Sequence, residues 1–490
     1  MTDLPPARRA ARRSSAALAA ALSFLLPGLG QAYAGRLGLG LLFAAPVLLL
    51  IGMTGGALLV GAQTVLDTLV VPGALAAVVA LDLALMIWRL IAIGHAGLSR
   101  PRSGTDGTSP MAAPPRSPAT VALVALLMAV TIGTHLWVAQ TAVAAEDALA
   151  HIFEPPAATE GPFVDPAFGH LDPNLPEYSW DGTERLNMLL IGYDSGPGRV
   201  DNLTDTILVV SIDPLSNTAF MVSIPRDTGY APLPDRRLYA DGVFPGRINE
   251  LASDANADPG LWCPDLGDGE DCGLRVLRQS VGLYLGLEIN NVGWVDLEGF
   301  AAFVDAMGGV DLCLPGTLAD PEYGGPTWDP QFGIVLDAGC HHYDGAHALA
   351  FARIRKGTMT LPDGSVEIQN DYLRAERQQE FLLAVQKRLA SANLLITLPG
   401  LLSAVSETVT TDFPRSQAGN LASLAPLIAD GNIQRVVLGW PGYVDLPVDP
   451  LNYYLLIPIR DAVRAEMAGL LGGEASLSGW YLGSDAAGPP

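Results

Sequence analysis

The sequence predicts an α/β fold with a mixed central β-sheet flanked by helices, preceded by an N-terminal helical membrane region. Two observations lead to this prediction. Long uncharged stretches dominate the first 145 residues, and of the 51 acidic residues only four lie there: Asp3, Asp67, Asp82 and Asp106. From Leu186 onward, short apolar runs of strand length alternate with segments of helical spacing, which is the pattern of an α/β domain.

Three stretches of the N-terminal region (1–145) are apolar enough to cross a membrane. Residues 37–66 carry no charge until Asp67, and 68–93 and 119–144 are the second and third candidates. Each is longer than the ~20 residues that a membrane-spanning helix needs. The apolar run 15–33 is interrupted by proline and glycine, so we expect a re-entrant or interfacial segment there, with a fourth full span as the alternative.

Charge predicts the orientation of these spans. Arginines cluster before the first span and again between the second and third, and the positive-inside rule places both stretches in the cytoplasm. We therefore expect a multi-pass cell-membrane protein whose remainder is extracytoplasmic. That remainder divides into a Pro-rich acidic spacer (146–184), an α/β domain (185–392) and a C-terminal extension (393–490) that packs on this domain and ends in a disordered tail. Its strong negative charge argues against nucleic acid as a partner.

All four cysteines fall in the predicted external part, where disulfides persist. We expect Cys263 to pair with Cys272 across a Pro/Gly/Asp-rich loop, and Cys313 to pair with Cys340. A zinc site is the alternative, because Cys340 is followed by His341, His342 and His347. The spacing favours disulfides, since no CxxC pair is present.

The α/β domain begins with three predicted strands. Residues 186–193 (LNMLLIGY) are almost continuously apolar, which is typical of a strand buried on both faces. Residues 206–212 and 219–224 are two further strands, and the turn residues 213–217 (DPLSN) between them predict a hairpin.

Helices and strands alternate after the hairpin. Helical spacing covers 273–287, and the three segments that follow are predicted as strand, helix and strand: 292–295, 297–307 and 310–314. Asp344 is a favourable N-cap for a helix beginning at Gly345. A longer helix is expected from about Ile368 to Ala392, with charge exposed on its first two turns.

Two acidic residues flank the turn between the first two strands. Asp194 ends the first strand, and Asp205 opens the second after a Gly-rich turn. Carboxylates at neighbouring strand ends can bind one hard cation, and Mg²⁺ beside phosphate commonly takes only one or two such ligands. The alternative is that both acids cap turns, for which Asp is a favoured residue.

Arginines are concentrated in two short runs, 351–356 (FARIRK) and 371–379 (DYLRAERQQ), although the net charge of the chain is −23. If the first run is extended, Arg353 and Arg355 point to the same side. On the following helix Asp371, Arg374 and Gln378 form one polar stripe with Arg377 adjacent. Guanidinium groups match phosphate oxygens in pairs, so the two runs predict an anion-binding site. A solvated helix face with i,i+4 ion pairs is the alternative.

Two further arginines are weaker candidates. Arg226 follows the third strand in SIPRDT, where Asp227 could hold it by a bidentate pair. Arg247 lies in GRINE, and a surface arginine is its default interpretation. A P-loop or Rossmann nucleotide site is unsupported, because neither glycine motif occurs.

The segments LLIGYD, TDTILVVSIDP, SIPRDT, RINELA, YDGAHALAFARIR and DYLRAERQQEFLLAV occur in this order between about Leu186 and Leu389. In sequence and spacing they resemble the LytR-CpsA-Psr family of cell-envelope phosphotransferases. The resemblance implies an α/β domain with a hydrophobic tunnel for a lipid. It also implies transfer of a glycopolymer from a polyprenyl-pyrophosphate carrier to the cell wall (peptidoglycan) or another wall acceptor, with Mg²⁺ or Mn²⁺ at the pyrophosphate.

Position by position, the resemblance implies two groups of site residues. The acids that would bind the metal are Asp194 and Asp205; the groups around the pyrophosphate are Arg226, Arg353, Arg355, Arg374 and Arg377, with Gln378 beside them and Arg247 at a usually basic position. The family typically has an arginine two residues before the second aspartate, where this chain has Leu203. Arg199, in the same turn, would have to reach the phosphates instead.

The expected step is attack of a wall-sugar hydroxyl on the phosphorus nearest the glycan, with Asp194, Asp205, Asp371 or the metal assisting deprotonation. Two alternatives remain open. Water could replace the sugar, which would make the protein a polyprenyl-pyrophosphate pyrophosphatase. A non-catalytic envelope protein that binds lipid-linked intermediates is the other.

Overall fold

The structure is a computed structural model, and it describes these residues: 15–60, 65, 68–98, 117–153, 180, 182–193, 203–235, 237–265, 271–324, 333–389, 398–424, 433–446 and 455–472. Most of the predicted spacer, the loop 101–116 and the predicted C-terminal tail lie outside the described residues. The chain divides into two compact units, Met1–Glu146 and Asp147–Pro490.

The first unit is helical. Its helices are α1 (Ala16–Leu25), α2 (Leu29–Tyr33), α3 (Leu37–Val60), α4 (Ala74–Leu98) and α5 (Pro118–Ile152), the last of which runs on past the unit boundary. Three of them, α3, α4 and α5, are long and apolar enough to cross a membrane. At ten residues, α1 is about 15 Å long, roughly half the thickness of a hydrocarbon core.

Polar contacts connect these helices. Gln31 of α2 is buried, accepts a hydrogen bond from Ser23 Oγ at 2.9 Å and donates one to the Ala92 carbonyl at 2.9 Å. Asp82 of α4 pairs with His135 of α5 at 2.7 Å. Because a polar group buried among apolar helices is costly unless it is paired, these contacts specify which helix faces meet.

The second unit is built on a six-stranded mixed sheet. Its strands are β1 (Leu186–Tyr193), β2 (Thr204–Asp213), β3 (Thr218–Ser223), β4 (Asn291–Asp296), β11 (Val409–Thr411) and β12 (Ile433–Val437), in the order β11-β4-β1-β2-β3-β12. β1 pairs antiparallel with β2 and parallel with β4. The predicted mixed sheet is confirmed, and the predicted hairpin joins β2 to β3.

The hairpin turn follows from its residues. Asp213 Oδ1 accepts hydrogen bonds from the backbone N–H groups of Leu215 and Ser216 at 3.0 and 3.2 Å. Asn217 adopts φ 57°, a left-handed conformation that Asn tolerates better than most residues. This local network sets the register that brings the far ends of β2 and β3 together.

Helices and small sheets surround the central sheet. The remaining helices are α6 (Ile248–Ala257), α7 (Pro259–Trp262), α8 (Cys272–Leu285), α9 (Leu297–Ala306), α10 (Gly345–Arg353), α11 (Asp371–Leu389), α12 (Leu398–Thr408), α13 (Ala418–Ser423), α14 (Arg460–Leu470) and a 3₁₀ turn (Arg415–Gln417). The remaining strands are β5 (Val310–Leu314), β6 (Thr317–Asp320), β7 (Ile334–Leu336), β8 (Gly339–Tyr343), β9 (Thr358–Thr360), β10 (Val366–Ile368), β13 (Val444–Asp445) and β14 (Ile457–Pro458). They form a sheet β10-β9-β6-β7 and the pairs β5-β8 and β13-β14.

Two hydrophobic cores position the site. In one, side chains of the central sheet such as Val209 and Val222 pack with Val276 and Val281 of α8. In the other, α9, α10, α11 and α12 pack with the small strands, and Phe351 and Phe381 are fully or almost fully buried there. Because α10 and α11 share this core, the ends that carry the arginine runs are held against each other.

Both predicted disulfides are present, Cys263–Cys272 and Cys313–Cys340. Cys313 on β5 lies directly opposite Cys340 on β8 in the antiparallel register. Cys340 is therefore not available as a thiolate ligand, which removes the alternative of a zinc site built on it.

The segment after residue 392, predicted as an extension packing on the domain, supplies both edge strands of the central sheet. β11 pairs with β4, and β12 pairs with β3. Each strand is too short to give a clear alternating pattern in the sequence, so this role was not predicted.

Candidate active site

Most of the predicted site residues converge on one cavity of about 200 Å³. The residues that line it are Asp205, Arg226, Asp320, Glu322, Tyr323, Gly324, Ala352, Arg353, Arg355, Lys356, Arg374 and Gln378. Six of these were predicted from the sequence: Asp205, Arg226, Arg353, Arg355, Arg374 and Gln378. The lining has five cationic side chains and three carboxylates, an excess of positive charge in a protein that is acidic as a whole.

Asp205 and Arg226 meet because of the β2–β3 register. Leu208 pairs with Ser223, and the Ile224 N–H donates to the Ile207 carbonyl beyond the last ladder pair, so the two chains remain adjacent toward Asp205 and Arg226. Arg226 Nη1 donates to Asp205 Oδ1 at 2.5 Å. Burial opposes the charge of Arg226, but the carboxylates of Asp205, Asp371 and Asp227 outweigh it and raise the arginine pKa.

The expected bidentate pair between Arg226 and Asp227 is wrong. The closest ion-pair contact between them, Arg226 Nε to Asp227 Oδ1, is 3.8 Å, whereas Asp205 accepts the direct hydrogen bond. The reason is geometric: Asp205 lies across the strand pair within hydrogen-bond distance of Arg226, whereas Asp227, the next residue in the chain, stays beyond that distance.

Arg374 enters the cavity from α11 and is 5% exposed. Its Nη2 donates to the backbone carbonyl of Asp205 at 3.0 Å and lies 3.0 Å from Asp371 Oδ1. Burial lowers its pKa, against the charges of Asp371 and Asp205. These contacts hold the guanidinium in one place, which reduces the ordering cost of binding an anion.

Asp371 begins α11 and does not line the cavity. Asn370 caps this helix end, since its Oδ1 accepts hydrogen bonds from the N–H groups of Tyr372 and Leu373 at 3.0 and 3.1 Å. Asp371 instead lies between Arg226 and Arg374, at 3.7 Å from Arg226 Nε. In this position it orients arginines and has no contact with the cavity space.

Arg353 and Arg355 both line the cavity, but not through the extended segment that was expected. Arg353 is the last residue of α10, which Asp344 caps at its start as predicted, and the chain turns extended only at Ile354. The apolar face of α10 packs in the core around Phe351, and this packing extends the helix through Arg353. Lys356 completes this wall of the cavity.

Arg377 does not line the cavity. The predicted stripe of exposed charge on α11 is therefore wrong for this residue, which is buried. The side chain is 5% exposed and stacks over the Phe351 ring at 5.9 Å. Its Nε donates to the Phe351 carbonyl at 2.8 Å, and its other nitrogens donate to the Ile354 carbonyl and Gln369 Oε1. Burial and the charge of Arg374 lower its pKa to about 10, so it stays protonated at neutral pH.

Gln378 and Arg247 are placed differently from each other. Gln378 lines the cavity and donates to the Ala352 carbonyl at 3.2 Å, which ties α11 to α10. Arg247 is at the N-terminus of α6, outside the cavity lining, where it pairs with Glu250 and lies 3.6 Å from Asp227. Asp194 and Arg199 lie outside the described residues.

The oxygen ligands available at the cavity can be compared with those that a divalent cation requires. Asp205 supplies one carboxylate at the cavity, and its Oδ1 already accepts the Arg226 hydrogen bond. No group of three or more His, Cys, Asp or Glu side chains suited to a metal occurs among the described residues. This donor set fits Mg²⁺, which beside phosphate takes one or two carboxylates and completes its shell with phosphate oxygens and water.

Sequence reasoning missed part of the cavity wall. Asp320 ends β6, and Glu322, Tyr323 and Gly324 lie in the turn after it, where Asp320 Oδ1 accepts the Glu322 N–H at 3.0 Å. Nothing in this turn distinguishes it from a surface loop in the sequence. Lys356 did have a signal, because it ends the FARIRK run.

A second cavity, of about 310 Å³, contains none of the predicted site residues. It lies beside the Cys263–Cys272 disulfide, and its two arginines are already paired, Arg237 with Asp235 at 2.5 Å and Arg275 with Asp265 at 3.0 Å. Although it is larger, its lining is mostly apolar and its cations are neutralised, so it lacks the excess positive charge of the first cavity.

The fold and the cavity together define an α/β protein with an arginine-lined cavity and, at its N-terminus, helices long and apolar enough to cross a membrane. The sequence model of the LytR_cpsA_psr family matches residues 163–451, more than half of the chain. The chain belongs to this family.

Individual relatives match this chain at low sequence identity. The polyisoprenyl-teichoic acid–peptidoglycan teichoic acid transferase TagU of Bacillus anthracis is 28% identical over 235 residues, which are 48% of this chain and 63% of that protein. The probable cell wall biosynthesis protein LcpB of Corynebacterium glutamicum is 30% identical over 213 residues, 44% of this chain and 40% of that protein. The chain thus spans less than two thirds of each of these two relatives.

Solved structures align over more than half of the chain. The crystal structure of Bacillus subtilis TagV covers 59% of this chain and 98% of its own at 22% identity, with a TM-score of 0.42. A structure of TagT bound to LIIa-WTA covers 64% of this chain and 99% of its own at 19% identity, with a TM-score of 0.43.

Proposed function

We propose that this protein is a membrane-anchored phosphotransferase that moves a glycopolymer from a polyprenyl-pyrophosphate carrier to a cell-wall acceptor such as peptidoglycan. Membership of the family and the transferase names of relatives such as TagU support the reaction class. The observation that carries the proposal is the convergence of Arg226, Arg353, Arg355 and Arg374 with Asp205 on one cavity.

The location proposed is the cell membrane, with several spans and the catalytic domain on the extracytoplasmic side. Three apolar helices precede that domain, and the arginines that flank them support an external start of the domain by the positive-inside rule. The two disulfides support this side, because disulfides persist in oxidising compartments.

The cavity suits a diphosphate through charge and geometry. A diphosphate diester carries two negative charges, and during transfer further charge develops on the bridging oxygen. Arg374 and Arg226 are fixed by neighbouring carboxylates on one wall, and Arg353, Arg355 and Lys356 form another. Within the part of the chain that the structure describes, Arg355 and Lys356 form no ion pair, so their charges can neutralise a bound anion.

In the proposed step, an acceptor hydroxyl oxygen forms a bond to the phosphorus next to the glycan. The bond from that phosphorus to the bridging oxygen breaks, and polyprenyl phosphate leaves with the electron pair. The hydroxyl proton passes to a carboxylate of the cavity wall, where Asp205 and Glu322 are placed.

A divalent cation would be held by Asp205, with Asp194 as the second expected ligand. When bound, Mg²⁺ or Mn²⁺ supplies charge neutralisation at the phosphate oxygens. The arginines of this chain then orient the diphosphate, and the paired side chains around Arg226 keep them in place before the donor arrives.

The test uses the full chain in detergent with a short-chain prenyl-diphosphate glycan, an oligosaccharide acceptor and Mg²⁺. We expect prenyl phosphate and an acceptor–phosphate–glycan product, both lost in Arg374→Met and retained in the control Arg237→Gln, whose side chain is 76% exposed. Release of prenyl phosphate without joined product would establish the pyrophosphatase instead. Donor that binds and stays intact would establish a non-catalytic binding protein.

A further inference from the structure

Two carboxyl groups behind the cavity, Asp227 after β3 and Asp371 at the start of α11, each lie within 3.8 Å of Arg226 Nε and are in contact with each other. Both are largely shielded, with 15% and 17% of their side chains exposed. Two ionised carboxylates are both acceptors and repel each other, so such a contact requires that one of them carry a proton.

The surrounding donors do not remove this requirement. Arg226 Nε lies 3.8 Å from Asp227 Oδ1 and 3.7 Å from Asp371 Oδ1, too far for a hydrogen bond to either. Arg374 Nη2 lies 3.0 Å from Asp371 Oδ1 and Arg247 Nη1 lies 3.6 Å from Asp227 Oδ1, but among the described residues neither buried Oδ1 atom has a hydrogen-bond partner of suitable geometry. A proton held between the two carboxyl groups supplies a hydrogen bond that Arg226 does not.

We propose that Asp227 and Asp371 share one proton and act as positioning residues, which hold Arg226 and Arg374 toward the cavity so that the site binds its diphosphate in this protonated form. The proposal rests on the proposed function for the identity of the anion. It concerns two groups that do not line the cavity themselves.

The charged groups around Asp227 and Asp371 determine how the shared proton affects the position of Arg226. Asp227 faces Arg226 and Arg247, and Asp371 faces Arg226 and Arg374. Asp205 already neutralises part of Arg226, and Glu250 pairs with Arg247. If the shared proton is lost, the cluster gains a second full negative charge beside Arg226, and the guanidinium is attracted inward and away from a phosphate oxygen.

The electrostatic environment agrees with the geometry. Burial, the hydrogen bond to Asp371 and the charge of Asp371 raise the pKa of Asp227 from 3.8 to about 7, against the attraction of Arg226 and Arg247. Burial and the charges of both carboxylates raise the pKa of the adjacent Tyr372 to about 12, so its hydroxyl stays neutral and does not titrate in this range.

The shared proton also makes the free energy of unfolding depend on pH. Between pH of about 4 and about 7 the folded state retains a proton that the unfolded chain releases, so the free energy of unfolding decreases as pH rises through this window and levels off above it. This sign is opposite to that of an aspartate whose folded-state pKa is lowered by an ion pair. An asparagine at position 227 carries no such proton and removes the dependence.

The experiment measures binding of a short-chain prenyl-diphosphate sugar to the full chain in detergent, by calorimetry, from pH 6 to pH 8.5. Both phosphates of this diester stay ionised throughout, so the ligand does not titrate. We expect about a tenfold loss of affinity for the wild type as pH rises, corresponding to ~1.4 kcal/mol. Asp227→Asn should bind with nearly the acidic affinity at all pH values.

Asp235→Asn is the matched control, because Asp235 also pairs with an arginine but lies at the other cavity. It should keep the wild-type pH dependence. If Asp227→Asn also keeps it, the shared proton is absent and the proposal is overturned. Asp371→Asn provides a second variant in case Asp227→Asn does not fold, with the same expected loss of pH dependence.

Thermal unfolding without ligand separates this inference from the proposed function. The wild type should lose stability between pH 5 and pH 7.5 relative to Asp227→Asn. If no diphosphate binds but this difference remains, the proposed function fails and the shared proton stands. If the two unfolding curves run parallel across the range, the shared proton is wrong whether or not ligand binds.

Discussion

Arg374 and Arg377 lie one turn apart on α11, and each is 5% exposed, yet their surroundings differ in kind. Arg374 is next to the carboxylate of Asp371 and lines the cavity. Arg377 donates all three kinds of guanidinium nitrogen to uncharged oxygens, those of Phe351, Ile354 and Gln369. Arg374, held by a carboxylate, keeps its guanidinium at the cavity, where it can contact an anion. Arg377, held by carbonyl oxygens, instead links α10 to α11.

The largest effect expected from this difference is on activity, in Arg374→Met. Removing a fixed cation from a charged transition state typically costs about 10²–10³ in rate, and we expect a loss near the upper end because Arg374 is buried. Transfer is measured with the full chain in detergent, with donor and acceptor saturating. Arg374→Lys should recover little, since an ammonium cannot reproduce the guanidinium contacts. Activity within threefold of wild type would contradict the role.

Arg377→Met should lower stability instead. The change leaves two buried backbone carbonyls and Gln369 without their donor, and each such loss costs about 1–3 kcal/mol, so we expect a loss of at least about 3 kcal/mol in total. Chemical unfolding measures it, and activity per folded molecule should stay near the wild-type value. A variant that unfolds normally but transfers no glycan would place Arg377 among the anion-binding residues after all.

Arg355→Gln should show an intermediate effect on donor binding. Arg355 lines the cavity but is less enclosed than Arg374, and its charge is more screened by solvent and salt. We expect about a tenfold weaker donor affinity, and a weaker dependence of that affinity on salt than in wild type. Titration at two salt concentrations measures both, and an unchanged salt dependence would show that Arg355 does not contact the anion.

Arg247→Gln is expected to have the smallest effect, a change of less than about threefold in transfer. Its guanidinium pairs with Glu250 and is outside the cavity lining, and exposed pairs of this kind typically contribute ~0–1 kcal/mol. Steady-state kinetics measures the change in transfer, and thermal unfolding measures the contribution of the pair to stability. A loss comparable to that of Arg355→Gln would mean that Arg247 reaches the donor.

Much of the fold could be predicted because its signals are local. The apolar run of β1, the turn residues after Asp213 and the N-cap Asp344 each specify their own element, and the structure has all three. The arginine runs likewise indicated the site, because residue type limits which ligands are possible. The edge strands β11 and β12 were not predicted, since three to five residues carry no clear period.

The details of the site depended on contacts distant in sequence. The turn with Asp320 and Glu322 reaches the cavity only because β6 joins the small sheet beside β9. Arg353 belongs to a helix because Phe351 packs in the core. Helical spacing placed Arg374 and Arg377 on nearly the same face, and only the packing of α11 against α10 distinguishes a ligand contact from a structural one.

The sequence alone determined the class of chemistry: an acidic chain with apolar N-terminal spans, four cysteines on one side of them, and arginines gathered in two runs. Composition and local periodicity are properties of short segments, so they can be recognised without knowledge of the tertiary structure. Tertiary structure decided which charges are neighbours, and with it the pairing of Arg226 with Asp205 and the contact between Asp227 and Asp371. Electrostatic interactions depend on distance and burial, and both are set by segments that meet only when the sheet and α11 have packed together.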